Sequence, residues 1–308
     1  MTFTELIDEY TDHLRAINRA ATTIKVRASH LRRFRDYASG CGVDHPSRVT
    51  ASIIHAYQRL LSRSVNARGN LNSPELCNRH LAALKGFFRY LKREDHTAHD
   101  PAAEIEYATQ PKRLPSAILT PRQVRKILRR PDTRTVLGFR DRTILEVFYS
   151  TAIRRRELIR ITIDDVNLEA GLLTIRQGKG MKDRVVPLGK IACRYIETYL
   201  NGIRPDLVHP DRQTRALFLS RIGRRMDPST VKHLVAKHAR AAGIKARVTP
   251  HVFRHSCATH MLQNRANIRH IQELLGHNQL TTTQKYVRVT ITDLQEAHRR
   301  HHPREKDR

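Results

Sequence analysis

The sequence predicts a mainly α-helical protein with a small antiparallel β-sheet, divided into two domains. Three observations carry this. The chain has 308 residues, about twice the common domain size of roughly 150. Apolar residues recur at spacings of three and four along most of it, the mark of amphipathic helices. One interval, 172–188, instead holds two short β-branched runs around Gly178-Lys179-Gly180, the pattern of strands joined by a turn.

The first domain, 1–107, reads as four helices. Phe3, Leu6, Ile7, Tyr10 and Leu14 share one helix face. Thr22 is placed to cap a second helix bearing Ile24, Ala28, Leu31 and Phe34, and Thr50 a third bearing Ile53, Ile54, Tyr57, Leu60 and Leu61. Ser73-Pro74-Glu75 is a strong start signal: a hydroxyl N-cap, a proline at the first helical position, then an acid in the first turn. Leu76, Leu81, Leu84, Phe88 and Leu91 follow, and RGNLNS before them reads as a loop. Periodicity then fades through Asp100-Pro101, Pro111 and Pro115, so an interdomain linker is expected at 108–117.

The second domain, 118–300, opens on Thr120-Pro121, again a cap plus proline, with Val124, Ile127 and Leu128 inward. Ile144–Tyr149 and Glu157–Ile161 read as buried helix faces. Leu172–Arg176 and Arg184–Leu188 form a hairpin or a small three-stranded sheet. Helical patterns resume at 190–201, 228–242, 250–263 and 267–275. Residues 301–308, HHPREKDR, read as a frayed tail.

Composition narrows the partner. Lys and Arg number 57 against 29 Asp and Glu, a formal net charge of +28. Such an excess disfavours an ordinary neutral metabolic enzyme and favours a polyanion, nucleic acid before an anionic membrane. The charge is uneven: +4 over residues 1–110 and +24 over 111–308. No stretch reaches the ~18 apolar residues of a spanning helix, and MTFTELIDEY lacks the basic-then-apolar layout of a secretory signal. The four cysteines, Cys41, Cys77, Cys193 and Cys257, form no CxxC pair, which fits a reducing cytoplasm without disulfides or Cys-based zinc.

The candidate chemistry is concentrated after residue 150. Thr249-Pro250 starts a helix on which His251 and Arg254, three apart, share a face. Leu275-Gly276-His277 reads as a helix end with glycine as C-cap. Tyr286 follows nine residues later, and Thr151–Leu158 joins two helices through Arg154-Arg155-Arg156. Arginine grips phosphate bidentately and keeps its charge. Histidine can donate to a phosphate or move a proton near neutral pH. Lysine can protonate a leaving alkoxide, and tyrosine can form a covalent intermediate. Together these groups suit displacement at a phosphodiester with fixed cations meeting the developing charge. Singly, each motif is unspecific. Gly178-Lys179-Gly180 lacks the phosphate-loop frame, and His251, His255 and His260 lack acidic or cysteine partners for a metal. His255 and His260 are read as structural.

Four motifs in order carry more weight. YSTAIRRREL (149–158), QGKGMKDRVVPLG (177–189), TPHVFRHSCATHML (249–262) and LLGHNQLTTTQKYV (274–287) resemble the tyrosine recombinase, or phage integrase, family, most closely its Xer-like members. The resemblance covers nearly the whole chain. It implies a four-helix, SAM-like DNA-binding domain followed by an α-rich catalytic domain, the two clamping DNA. It also implies six catalytic residues. Arg154, Arg254 and His277 would bind the scissile phosphate; Lys179 would serve as general acid and His251 as proton acceptor; Tyr286 would be the nucleophile. Cleavage would leave a 3′-phosphotyrosyl link and a free 5′-hydroxyl, with no metal, ATP or other cofactor. The partner would be double-stranded DNA carrying a recombination site, bound by a homotetramer or a hetero-tetramer with a paralogue, residues 291–298 docking on a neighbouring protomer. Arg221, Arg224, Arg225, Lys232, Lys237 and Lys245, with Arg27, Lys85 and Arg89 in the first domain, are candidate backbone contacts. One departure stands out: Ala152-Ile153 replaces the family's Gly-Leu before the first arginine. A type IB topoisomerase-like nicking enzyme and a catalytically silent accessory protein are the rival readings.

Overall fold

The computed structural model describes residues 1–66, 69–109, 118–176, 183–211, 214–276 and 291–305, with side chains from 294 onward in the last stretch. The chain divides into two compact units, Met1–Arg113 and Leu114–Arg308.

The first unit holds four α-helices: α1 (Phe3–Ala16), α2 (Ala21–Gly40), α3 (Ala51–Arg63) and α4 (Pro74–Arg93). Thr2, Thr50 and Ser73 cap α1, α3 and α4 through their hydroxyls. Thr22 does not cap α2. That helix starts after a tight turn at Asn18, whose φ is +57°, and Ala20 takes the cap position without a side-chain hydrogen bond. The core is aromatic, with Phe3 stacked on Phe87 at 6.0 Å and Phe34 edge-on to Tyr57 at 5.0 Å. Leu60 lies outside it, 46% exposed, because the buried face of α3 narrows to Ile54, Tyr57 and Leu61. Inside the RGNLNS segment, Leu71 pairs with Val65 in a small antiparallel bridge.

The second unit is built around α6 (Val136–Thr151), buried from Arg140 to Thr151. Before it comes α5 (Pro121–Leu128), closed at its start by a Thr120–Gln123 capping box. After it come α7 (Arg155–Arg160) and the strands β1 (Val166–Asn167), β2 (Leu172–Ile175) and β3 (Arg184–Pro187). The sheet is antiparallel in the order β1-β2-β3, with Leu173 opposite Val186. Lys179, predicted at the turn between β2 and β3, lies outside the described residues. Helix α8 (Lys190–Thr198) runs into a π-helical turn at Tyr199–Ile203. Then follow α9 (Pro228–Ala241), α10 (Pro250–Gln263), α11 (Ile268–Leu275) and α12 (Ile291–His301). Among the described residues, no helix is long and apolar enough to cross a membrane.

The chain's end departs from expectation. Residues 301–305 are not frayed: His302 is fully buried, and Pro303–Glu305 form a 3-10 turn. The Arg304 guanidinium donates to both carboxylate oxygens of Glu146 at 3.1 and 2.6 Å. Glu305 accepts from the Lys190 backbone N–H at 3.0 Å, capping a helix whose N-cap, Gly189, has no side chain. Helix α12 packs on β3, α10 and α11 of its own unit.

Candidate active site

Three of the six predicted site residues, Arg154, His251 and Arg254, are described; Lys179, His277 and Tyr286 lie outside the described residues. Three helix ends converge around the arginines. The first is the break between α6 and α7. Helix α6 closes on Ala152, which adopts a left-handed conformation, φ +50° and ψ +27°. The chain then turns extended, and Arg154 becomes the N-cap of α7. The second is the start of α10, capped by the Thr249 hydroxyl, with Pro250 in the first turn. The third is the end of α11, where Gly276 is left-handed at φ +58°, as its predicted role as C-cap requires.

The arginines stitch these ends together. Arg254 is 4% exposed; its Nη1 donates to the Ala152 carbonyl at 2.6 Å and its Nη2 to the Leu275 carbonyl at 2.5 Å. The left-handed turn at Ala152 therefore serves to aim a carbonyl at Arg254. Arg154 donates through Nη2 to the Gly276 carbonyl at 3.1 Å. Arg254 and Arg154 thus bond, one each, to Leu275 and Gly276, the two residues directly preceding His277 in the chain. Burial, then the positive charge of Arg154, lowers the Arg254 pKa to about 10, so its guanidinium stays charged at neutral pH. His251 is also lowered, by partial burial and then by the charges of Arg254, His255 and Arg154.

Glu157 sits under this cluster and accepts four hydrogen bonds. From Arg154 come the backbone N–H at 2.7 Å and Nη1 at 2.8 Å. From Arg184 come Nη1 at 3.0 Å and Nη2 at 2.8 Å. Burial alone would raise this carboxyl; the hydrogen bonds and charges of Arg184 and Arg154 outweigh it and hold the pKa at about 2. Sequence reasoning placed Glu157 at the start of a buried helix face and Arg184 at the start of a strand, and assigned neither a part in the site. An arginine beginning an otherwise apolar strand was the available signal.

The remaining histidines of α10 separate by environment. His260 is buried, with Nδ1 2.9 Å from the Tyr149 hydroxyl and Nε2 2.6 Å from the Leu119 carbonyl, the structural role expected of it. His255 is exposed on the surface of α10. Two candidate DNA-backbone residues are already engaged: Arg225 donates to the Ile159 carbonyl at 2.7 Å, and Arg27 to the Tyr10 hydroxyl at 3.1 Å.

A buried arginine, Arg254, and a half-buried one, Arg154, on three convergent helix ends, beside a histidine held toward its neutral form, make a site for an anionic group such as a phosphodiester. Residues 117–292 match the phage integrase family, and the chain belongs to that family. It is a tyrosine recombinase of the Xer-like kind, an enzyme that cuts and rejoins DNA. It is 37% identical to tyrosine recombinase XerC 2 of Ralstonia nicotianae over 303 residues, covering 98% of this chain and 87% of that protein. The fold is that of the XerH site-specific recombinase bound to palindromic difH substrate in a post-cleavage complex: TM-score 0.67, 22% identity, 87% of this chain and 78% of the other. It is equally that of a lambda integrase tetramer bound to a Holliday junction: TM-score 0.67, 18% identity, 94% and 81% covered.

Proposed function

We propose that Arg154, Lys179, His251, Arg254, His277 and Tyr286 form the active site for this chain's site-specific recombination. The observation that carries the reading is the pair of arginines bonded to residues 275 and 276, which brings three of the four sequence motifs to one place. In the first step the Tyr286 hydroxyl oxygen attacks the scissile phosphorus while its proton passes to His251. With its pKa below the usual 6.5, His251 is neutral at physiological pH, the form that accepts a proton. Arg154, Arg254 and His277 bind the non-bridging oxygens and meet the charge of the transition state. The P–O5′ bond breaks, and Lys179 protonates the departing 5′ oxygen. The 3′-phosphotyrosyl bond retains the energy of the phosphodiester, so a partner strand's 5′-hydroxyl can displace Tyr286 without ATP.

Residues 1–107 supply, on this reading, a helical grip on core DNA, and 108–117 the link to the catalytic unit. The working assembly is a tetramer on two DNA sites, as the lambda integrase structure is a tetramer on a Holliday junction. It acts in the cytoplasm, where the four free cysteines stay reduced. A plasmid carrying two copies of the bound site, incubated with the protein and EDTA, tests this. Recombinant circles with exchanged flanks are expected; relaxed circles alone would indicate a nicking–resealing enzyme instead.

A further inference from the structure

Arg184 is the one charged member of β3, and its role extends beyond the strand. Its side chain is 11% exposed and grips Glu157, itself 6% exposed, with both terminal nitrogens. Its Nε is buried without a hydrogen-bond partner among the described residues. Gly276 lies flat against it: a methyl group placed on that glycine would come within 3.0 Å of Nε and 3.1 Å of Cδ. One side chain therefore joins strand β3, the start of α7 at Arg154, and the end of α11 before His277.

The charges suggest why an arginine sits there. Arg154, Arg184 and Arg254 face a single carboxylate, Glu157. If Glu157 paired with Arg154 alone, that pair would be neutral, and Arg254 would be the only uncompensated guanidinium of the described group. Arg184 takes half of the carboxylate's hydrogen bonds, so three guanidiniums share one negative charge and two net positive charges remain. Burying a carboxylate is tolerable only when it is paired and fully hydrogen-bonded; a forked guanidinium does both at once.

We infer that Arg184 is a positioning residue for DNA cleavage, acting through Glu157: it balances the carboxylate so that the charge of Arg154 is not offset by Glu157 and acts on the scissile phosphate. This rests on the active site proposed above. It predicts a defect of a particular kind. Arg184→Met should slow cleavage by about tenfold to a hundredfold, the range for loss of a partner that orients a functional group without touching substrate, while DNA binding changes by less than about threefold, since the side chain is mostly buried. Adding Glu157→Gln removes the unbalanced charge yet leaves an acceptor for Arg154, so the double variant should recover at least half of the lost rate on a logarithmic scale. Arg184→Lys keeps the charge but not the fork and should fall between wild type and Arg184→Met.

The assay is single-turnover formation of the covalent adduct on a nicked suicide duplex, its site selected from random-sequence DNA by binding to the wild-type protein. Binding is measured separately by gel shift and folding by thermal unfolding. An Arg184→Met protein that cleaves within about twofold of wild type overturns the inference, as does a double variant no faster than the single one. If Arg184→Met fails to fold but the double variant folds, the charge balance is supported; if neither folds, Arg184 is a packing residue and the inference fails. Absence of adduct from the wild-type protein would count against the proposed active site itself, not against Arg184 in particular.

Discussion

At the scale of single residues, backbone conformation and hydrogen bonding decide the site. Ala152 occupies a left-handed conformation that costs an L-residue with a Cβ about 1 kcal/mol or more relative to glycine. Ala152→Gly should relieve about 1–2 kcal/mol of strain against about 0.4–1 kcal/mol for the looser unfolded chain, a net gain of about 0.5 kcal/mol that raises the thermal midpoint by about 1–2 °C; calorimetry checks this. The opposite holds at Gly276, where positive φ and the Arg184 side chain both resist a methyl group. Gly276→Ala should destabilise by about 1–2 kcal/mol and also slow adduct formation, because Arg184 must move. Glu157 gives a pH signature. Its folded pKa of about 2 lies below its ordinary 4.5, so its pairing contributes fully above pH 4.5 and is lost as pH falls toward 2. Acid titration of stability should show that segment of the curve flattened in Glu157→Gln. The motifs marked Arg154, His251 and Arg254 in the sequence, and the departure at Ala152 pointed to the one strained residue between α6 and α7. Arg184 read only as the start of a strand, because its carboxylate partner, Glu157, lies 27 positions away, which no local pattern encodes.

At the scale of elements, helix caps were the most legible feature and buried polar faces the least. Thr50, Ser73, Thr120 and Thr249 all cap the helices they precede, because capping is a local hydrogen bond between residues three apart. Helix α6 defeats the amphipathic pattern, since it is buried on every side and carries its charges inward. Arg140 and His238 hold Asp141, and Arg142 and Arg304 hold Glu146. Arg304 belongs to the segment read as a frayed tail; a polar, proline-containing end looks solvated unless its distant carboxylate is known. Helix α12 and the residue that follows it carry two stacked histidines, His298 and His302, with ring centroids 4.5 Å apart. Their Nε2 atoms donate to the last carbonyls of α6, Ser150 at 2.6 Å and Tyr149 at 2.7 Å. Burial holds His298 at about pH 4 and, with the charge of its neighbour, His302 well below its ordinary value. A histidine kept neutral in the folded state opposes folding once the unfolded chain can take a proton. The attachment of α12 should therefore be intact above pH 6.5 and weaken as pH falls toward 4. Hydrogen exchange of α12 amides, corrected for intrinsic rates, should rise over that window in the wild type and less in His298→Gln; equal protection at pH 5 and pH 7 would contradict this.

At the scale of the whole molecule, charge named the partner and motif order named the reaction. The excess of +28 is uneven, with +24 beyond residue 110, in the stretch that holds every proposed catalytic residue. Composition alone could not divide cations that grip backbone from those that serve the chemistry or the fold. The structure makes part of that division: Arg154, Arg184 and Arg254 are knotted into the site, and Arg225 and Arg27 bond within the protein. Lys237, exposed on α9, remains a candidate for backbone contact. If about 8 phosphates are neutralised per protomer, log affinity should fall with log salt at a slope near −7. Lys237→Ala should reduce that slope by about 1 without altering site preference, whereas Arg225→Ala should lower stability more than it changes the slope. Binding titrations at several salt concentrations separate the two.

The central claim is that Tyr286 becomes covalently joined to DNA. The most direct measurement is incubation of the protein with a nicked suicide duplex carrying its bound site, followed by denaturing electrophoresis and peptide mapping of the adduct. The wild-type protein should give a denaturant-resistant adduct at the 3′ phosphate that maps to the peptide containing Tyr286, and Tyr286→Phe should bind the same duplex without forming it. An adduct persisting in Tyr286→Phe, or none from wild type on a duplex it binds, would contradict the account.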